Sequence, residues 1–339
     1  MRSRSGRRRR ASRREVSPLA PRDGLDPARL RTPADGAWPT MRAHLLDRIP
    51  GVDPDRLDAM LAAGEIVTLD GPLSAASPFT PSTTLWLHRD VPDEAEVPGT
   101  LDVLHRDDDV VVVDKPHFLA TIPRGSHVRQ TVLVRLRHEL GLPELSPAHR
   151  LDRPTAGVLL LVVRPELRGA YQTLFATGRV DKTYEAVAPY DPALELPRTV
   201  TSRIVKRPGT LQALTEPGEP NAETRVELTD YRSGTGYRSG TEHRSGTGHS
   251  AGTGYYRLHP RTGRTHQLRV HLASLGVPIL GDDVYPQVRD RADGDVTRPL
   301  QLLSRRLEFD DPVTGERRSF TSRRALQAWD DPGGWAAGV

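Results

Sequence analysis

The run Gly157-Val158-Leu159-Leu160-Leu161-Val162-Val163 constrains this chain more than any other feature. Six consecutive apolar residues after a glycine, at strand length and rich in β-branched side chains, read as a buried central strand. Asp109-Val110-Val111-Val112-Val113-Asp114, four valines bracketed by aspartates, reads as a second buried strand. Between them, Val128, Val132, Leu133, Leu136 and Leu140 fall at helical spacing, which predicts an amphipathic helix over 128–140. Short strands alternate with short helices from residue 99 onward. The segment His149-Arg150-Leu151-Asp152-Arg153 thus enters a central strand through a turn, where a rigid backbone can aim a side chain into a cleft.

The other parts of the chain are read around that body. Among 339 residues there are 30 Pro and 29 Gly, so a sizeable share is loop or tail. Residues 1–20 hold eight Arg and one Glu; the tail therefore carries +7 of a net +4, leaving the remainder at −3. Any nucleic-acid contact by the body needs a local basic patch. Residues 1–40 read as a disordered basic tail, either simply solvated or touching phosphates through its arginines. Residues 41–98 read as a small α+β module: two short helices around Leu45, Leu46, Ile49, Leu57, Met60 and Leu61, then strands over 65–69 and 84–88. It is either an RNA-binding module or a packing extension, and 92–98, with a proline at each end, reads as its linker. Residues 231–254 repeat Arg-Ser-Gly-Thr imperfectly between strand-like stretches at 222–228 and 255–258, which predicts a flexible loop insertion in a hairpin. The chain has no cysteine, excluding disulfides, thiolate catalysis and cysteine-held metals. No apolar run reaches the roughly 20 residues of a membrane span, and a cytoplasmic protein is expected, an Arg- and Ser-rich transit peptide being the alternative.

Asp152 lies between Arg150 and Arg153, so nearby positive charge would keep it ionised. Taken alone this favours a structural salt bridge. A second segment, Thr262-Gly263-Arg264-Thr265-His266-Gln267-Leu268-Arg269-Val270-His271-Leu272, reads as a turn opening an amphipathic helix that mixes basic, amide and apolar side chains. His266 and His271, five apart and without a carboxylate to complete a set, do not make a metal site.

Together with Val113-Asp114-Lys115-Pro116, Lys182-Thr183-Tyr184-Glu185-Ala186 and Gly281-Asp282, these segments resemble, in order, the motifs of the RluA-like RNA pseudouridine synthases. The resemblance spans about 104–320. It implies an α+β catalytic domain over 99–330 with a mixed, mainly antiparallel sheet, flanking helices and a central basic cleft. It implies conversion of uridine to pseudouridine in large-subunit rRNA or tRNA, without cofactor or metal, by a protein expected to be monomeric. Position by position it makes Asp152 the nucleophile, Tyr184 the ring stacked on the target base, and Arg269 the partner of Asp152. Leu268 would line the base pocket and Arg150 would fill the gap left by the flipped uridine, with Lys182, Arg264 and His266 also contacting substrate. Extrusion is needed because a base inside a folded stem cannot be reached. Two positions depart from the family pattern: Leu303 stands at a usual histidine and Ala156 at a common serine. Two other classes compete. A binding-only protein would not need Asp152, Tyr184 and Arg269 together, and a glycoside hydrolase would need a second acid at a fixed distance.

Overall fold

The computed structural model describes residues 15–49, 51–91, 94–233, 252–292 and 294–338. They form two compact units, Met1–Pro92 and Asp93–Val339.

In the first unit, strand β1 (Ala28–Arg31) precedes helices α1 (Met41–Arg48) and α2 (Pro54–Ala62) and strands β2 (Ile66–Thr68), β3 (Gly71–Pro72) and β4 (Thr84–Leu87). The sheet order is β1-β4-β2-β3. Thr40 and Asp53 cap the two helices by accepting from Ala43 N and Asp55 N. Met41, Leu45, Leu57, Met60 and Leu61 pack on Ile66, Leu85 and Leu87. The two helices and the strands near 66 and 85 follow the expected pattern. The tail reading of residues 1–40 is corrected at its end, because β1 pairs antiparallel with β4 along its whole length. Ala-Arg-Leu-Arg alternates with period two, and Ala28 and Leu30 turn toward the core; four residues amid Pro and Gly were too short to stand out. Residues 1–14 lie outside the described residues.

The second unit carries a large mixed sheet. Strands β5 (Asp102–Arg106) and β6 (Val110–Lys115) lead through helix α3 (Val132–Leu140) to β7 (Ser146–Pro147) and β8 (Ala156–Val162). Helix α4 (Arg168–Ala176) and strand β9 (Asp181–Tyr190) follow, then β10 (Arg198–Val205), β11 (Leu214–Glu216), β12 (Ala222–Ser233) and β13 (Gly252–Pro260). Helix α5 (Gln267–Ser274), strands β14 (Leu302–Asp310) and β15 (Arg317–Thr321), and helices α6 (Gln327–Asp330) and α7 (Pro332–Ala337) complete the order. The sheet runs β11-β10-β12-β13-β9-β14-β8-β6-β5, with β15 on β14 and β7 on β8. Every pairing is antiparallel except β14 with β8. This is the α+β architecture expected.

β6 and β8 are buried along their whole lengths, as their unbroken apolar runs require. Helix α3 begins at Val132, four residues later than its periodicity predicts. Thr131 caps it, and the N–H groups of Val128, Arg129 and Gln130 instead donate to the Glu94 carboxylate. The loop insertion is also narrower than expected. Residues 231–233 and 252–254 are paired strand, and 234–251 lies outside the described residues. The chain continues past 330, since Leu326, Ala328 and Trp335 pack on Val187 and Leu303.

The two departures from the family pattern meet in space. Leu303 of β14 is the register partner of Ala156 of β8, and both are fully buried in one apolar cluster with Val187, Leu326 and Trp335. Where a histidine and a serine would make a polar pair, this chain has an apolar one. Leu303→His is expected to lower stability by about 1–3 kcal/mol, the cost of a buried polar group without a partner. Ala156→Ser on that background should restore part of the loss, and urea unfolding midpoints of the three variants check this.

Candidate active site

The loop from 148 to 155 joins β7 to β8 and carries Asp152. Its carbonyls at 151–154 are each taken by a donor. The Thr121 hydroxyl donates to Leu151 O at 2.8 Å and accepts from Leu151 N, and Thr155 N donates to Asp152 O at 3.1 Å. Lys115 Nζ donates to Arg153 O at 3.1 Å and also to Pro116 O and Leu119 O, while His117 Nδ1 donates to Pro154 O at 2.7 Å. Four consecutive carbonyls fixed in this way hold the loop around Asp152 in one geometry. Lys115 is completely buried. Three carbonyls around Nζ call for three N–H donors, which the ammonium form supplies; burial pulls its pKa down, and the Asp152 carboxylate opposes that pull. The segment 115–121 therefore builds the support for the loop that carries Asp152.

Gly157 lies within β8. Its φ is +108°, and a Cβ there would lie 2.2 Å from Ser304 O. Only glycine lets β14 run this close beside β8.

Asp152 meets Arg269, which is 117 residues away along the chain. Arg269 Nη1 lies 3.6 Å from Asp152 Oδ2, and His266 Nε2 lies 3.9 Å from the same oxygen. Arg269 is fixed from behind: Nε and Nη2 donate to Asp282 Oδ2 and Oδ1 at 2.8 and 2.7 Å, leaving Nη1 for Asp152. The Asp282 and Arg269 side chains are 1% and 4% exposed, against 32% for Asp152. A bidentate pair buried to this degree fixes the guanidinium plane. Asp282 Oδ1 also accepts from Val284 N and Tyr285 N. Gly281, at φ +74°, permits the bend, since a Cβ there would lie 2.5 Å from Pro299 O. The Tyr285 ring packs on Arg269 at 5.4 Å and edge-on to His266.

The helix expected to open at Thr262-Gly263 begins at Gln267. His266 takes a left-handed conformation at φ +57°, and residues 261–266 run as loop across the cleft. The Gln267 side chain holds that loop by accepting from the Thr262 hydroxyl and Arg264 N. His271 is buried on the inner face, bonded to Thr224 and Ser202.

The remaining expected site residues line a single cleft of about 1640 Å³ with Asp152. Tyr184 stands on β9, half-buried, its hydroxyl pushed up to about 12 by burial and so protonated at neutral pH. Leu268 is buried in the apolar cluster between α5 and the sheet, beside Tyr184. Lys182 Nζ donates to Thr262 O at 3.0 Å, and burial lowers its pKa to about 8. Arg264 Nε donates to Asn221 O, and Arg150 is exposed at the cleft wall. Arg153 lies over the Phe118 ring. His149, neutral because burial lowers its pKa to about 3, stacks on Phe175 and accepts from Leu160 N. Eleven Arg and Lys line the cleft against four Asp and Glu, so the basic patch that a body of negative net charge needs is concentrated here.

The site therefore combines one carboxylate held by a cation, an aromatic ring, an apolar floor and a basic rim, with space for an extruded nucleotide. Residues 109–274 match the family model described as RNA pseudouridylate synthase. An uncharacterized RNA pseudouridine synthase of Synechocystis is 32% identical over 225 residues, which cover 66% of this chain and 69% of that protein. The chain belongs to the RNA pseudouridine synthases. It is an RluA-like member: dual-specificity RNA pseudouridine synthase RluA of Escherichia coli is 29% identical over 64% of this chain and 90% of its own length. tRNA pseudouridine synthase C of Yersinia pestis is 28% identical over 68% of this chain and 88% of its own. The fold is that of human RNA Pseudouridylate Synthase Domain Containing 1, with a TM-score of 0.51, 24% identity, and coverage of 70% of this chain and 89% of that one. The enzyme is thus an isomerase that makes pseudouridine in RNA.

Sequence reasoning named Lys115 and Asp282 only as parts of motifs, and missed Thr121 and Tyr285. The first two carried a signal, Lys-Pro after a strand and Gly-Asp after a helix. A threonine and a tyrosine in loops carried none.

Proposed function

We propose that the enzyme isomerises particular uridines of large-subunit rRNA or tRNA, with Asp152 as nucleophile. The observation that carries this reading is Asp152, partly open to the cleft, held 3.6 Å from an Arg269 that Asp282 fixes from behind. An ionised carboxylate so placed can attack the nucleoside while the cation keeps it charged and aimed. Tyr184 supplies the face against which the extruded uracil stacks, and Leu268 the apolar floor beneath it. Arg150, exposed at the rim, takes the vacated place in the RNA stack, while Lys182, Arg264 and His266 contact the flipped nucleotide and its phosphates. The acting form is a monomer in the cytoplasm.

Pseudouridine maps of rRNA and tRNA from wild-type and deletion cells test the substrate assignment. Loss of one or a few sites in either RNA supports it, and identical maps refute it. Tyr184→Phe is expected to keep most of the single-turnover rate, because the ring remains, whereas Tyr184→Ala should lose about 1–3 kcal/mol of stacking. Equal losses in the two variants would assign the role to the hydroxyl instead.

A further inference from the structure

Every route from uridine to pseudouridine ends in the same way. Once ribose C1′ is joined to uracil C5, that carbon carries both the new bond and its original hydrogen, and a base must remove the hydrogen. We propose that His266 Nε2 is the proton acceptor for this step, and that Tyr285 sets the tautomer that makes it one. This rests on the isomerase activity of the same cleft.

The hydrogen bonds of the Tyr285 hydroxyl carry the argument. Its oxygen accepts from Ala213 N at 2.6 Å, and its O–H donates to Ala213 O at 2.9 Å. The hydroxyl has one proton, which is thereby used, and one acceptor position left. His266 Nδ1 lies 3.1 Å away and must be the donor in that contact. With its proton on Nδ1, the neutral imidazole carries a lone pair on Nε2, the nitrogen that faces Asp152 at 3.9 Å. The left-handed backbone at His266 and the edge-on packing of its ring against Tyr285 hold that orientation.

The other groups lining the cleft around Asp152 are poorly suited to take a proton. Arg269 is a fixed cation, and Lys182 donates to Thr262 O. The Tyr184 hydroxyl already carries its proton, and the lone pair of His149 is taken by Leu160 N. The charged or titratable groups acting on His266 are Asp152, Arg269, Lys206 and Asp282, and burial keeps the ring neutral at rest. When Nε2 takes the C5 proton, the C5–H electron pair becomes the C5–C6 double bond and the N1–C6 pair returns to N1. N1 then takes up one proton and the imidazolium gives one up, directly or through water, so both rings are neutral again and nothing is consumed. The imidazolium formed in between sits beside the Asp152 carboxylate, which stabilises it.

The test uses RNA from deletion cells grown on uridine carrying either hydrogen or deuterium at C5, with pseudouridine measured in single turnover. His266→Gln is expected to slow the reaction by about 100-fold or more, with a deuterium isotope effect absent from wild type. Tyr285→Phe should show a smaller loss with the same isotope effect. His266→Ala should be rescued by added imidazole, whereas Asp152→Asn should not. A rate for His266→Gln within a few-fold of wild type, or a loss without the isotope effect or rescue, overturns the proposal while the activity stands. Wild type forming no pseudouridine overturns the activity and the proposal with it.

Discussion

Asp152→Asn is expected to abolish pseudouridine formation, with a single-turnover loss on the order of 10⁴-fold or more, as for removal of a catalytic nucleophile. RNA binding and stability should persist. The amide keeps the shape of the side chain, and Arg269 keeps its bidentate partner. Asp152 itself is 32% exposed, so loss of its ion pair should cost under about 1 kcal/mol. The measurements are single-turnover rate, filter binding and urea unfolding on one preparation. A rate near wild type would remove Asp152 from the chemistry, and a large stability loss would return it to the structural salt bridge that its flanking arginines suggested.

Asp282→Ala is expected to give the opposite balance. It leaves a guanidinium, 4% exposed, without the carboxylate that takes two of its nitrogens, and it strands the N–H groups of Val284 and Tyr285. Breaking a buried pair from one side costs about 3–5 kcal/mol. Arg269 is then free to turn onto Asp152, so the rate should fall together with stability, and Asp282→Asn should lose less of both because it still accepts from the backbone. If Asp282→Ala unfolds at the wild-type urea midpoint with its rate intact, something other than Asp282 holds Arg269. The contrast between the two aspartates separates a residue that acts from one that positions.

Burial explains which parts of this chain could be read in one dimension. β6 and β8 were visible because strands covered on both faces must be apolar throughout, and that leaves an unbroken run. β1 was hidden because four residues give too few alternations, and because the strand it pairs with lies more than 50 residues away. The late starts of α3 and α5 have local causes that periodicity does not encode: the Glu94 carboxylate ahead of one, and the left-handed turn at His266 ahead of the other. The two family departures looked unrelated 147 residues apart, and their meaning appeared only when β14 ran parallel beside β8.

The sequence by itself determined the buried strands and the order of the motifs, because these follow from residue type, hydrophobic period and spacing; the class of fold and the identity of the acid are what the resemblance of those motifs implies. Residue type and spacing alone could not assign the acid's partner, since the neighbouring arginines were the nearer candidates; only the resemblance pointed to Arg269. Tertiary structure decided that Arg269 stands within 3.6 Å of the acid, that Asp282 and Tyr285 hold it, and that the carbonyls of Leu151, Arg153 and Pro154 are tied to the segment 115–121. The physical reason is that electrostatic positioning acts through distances of 3–4 Å, and only the closed sheet brings residues more than a hundred positions apart to that range.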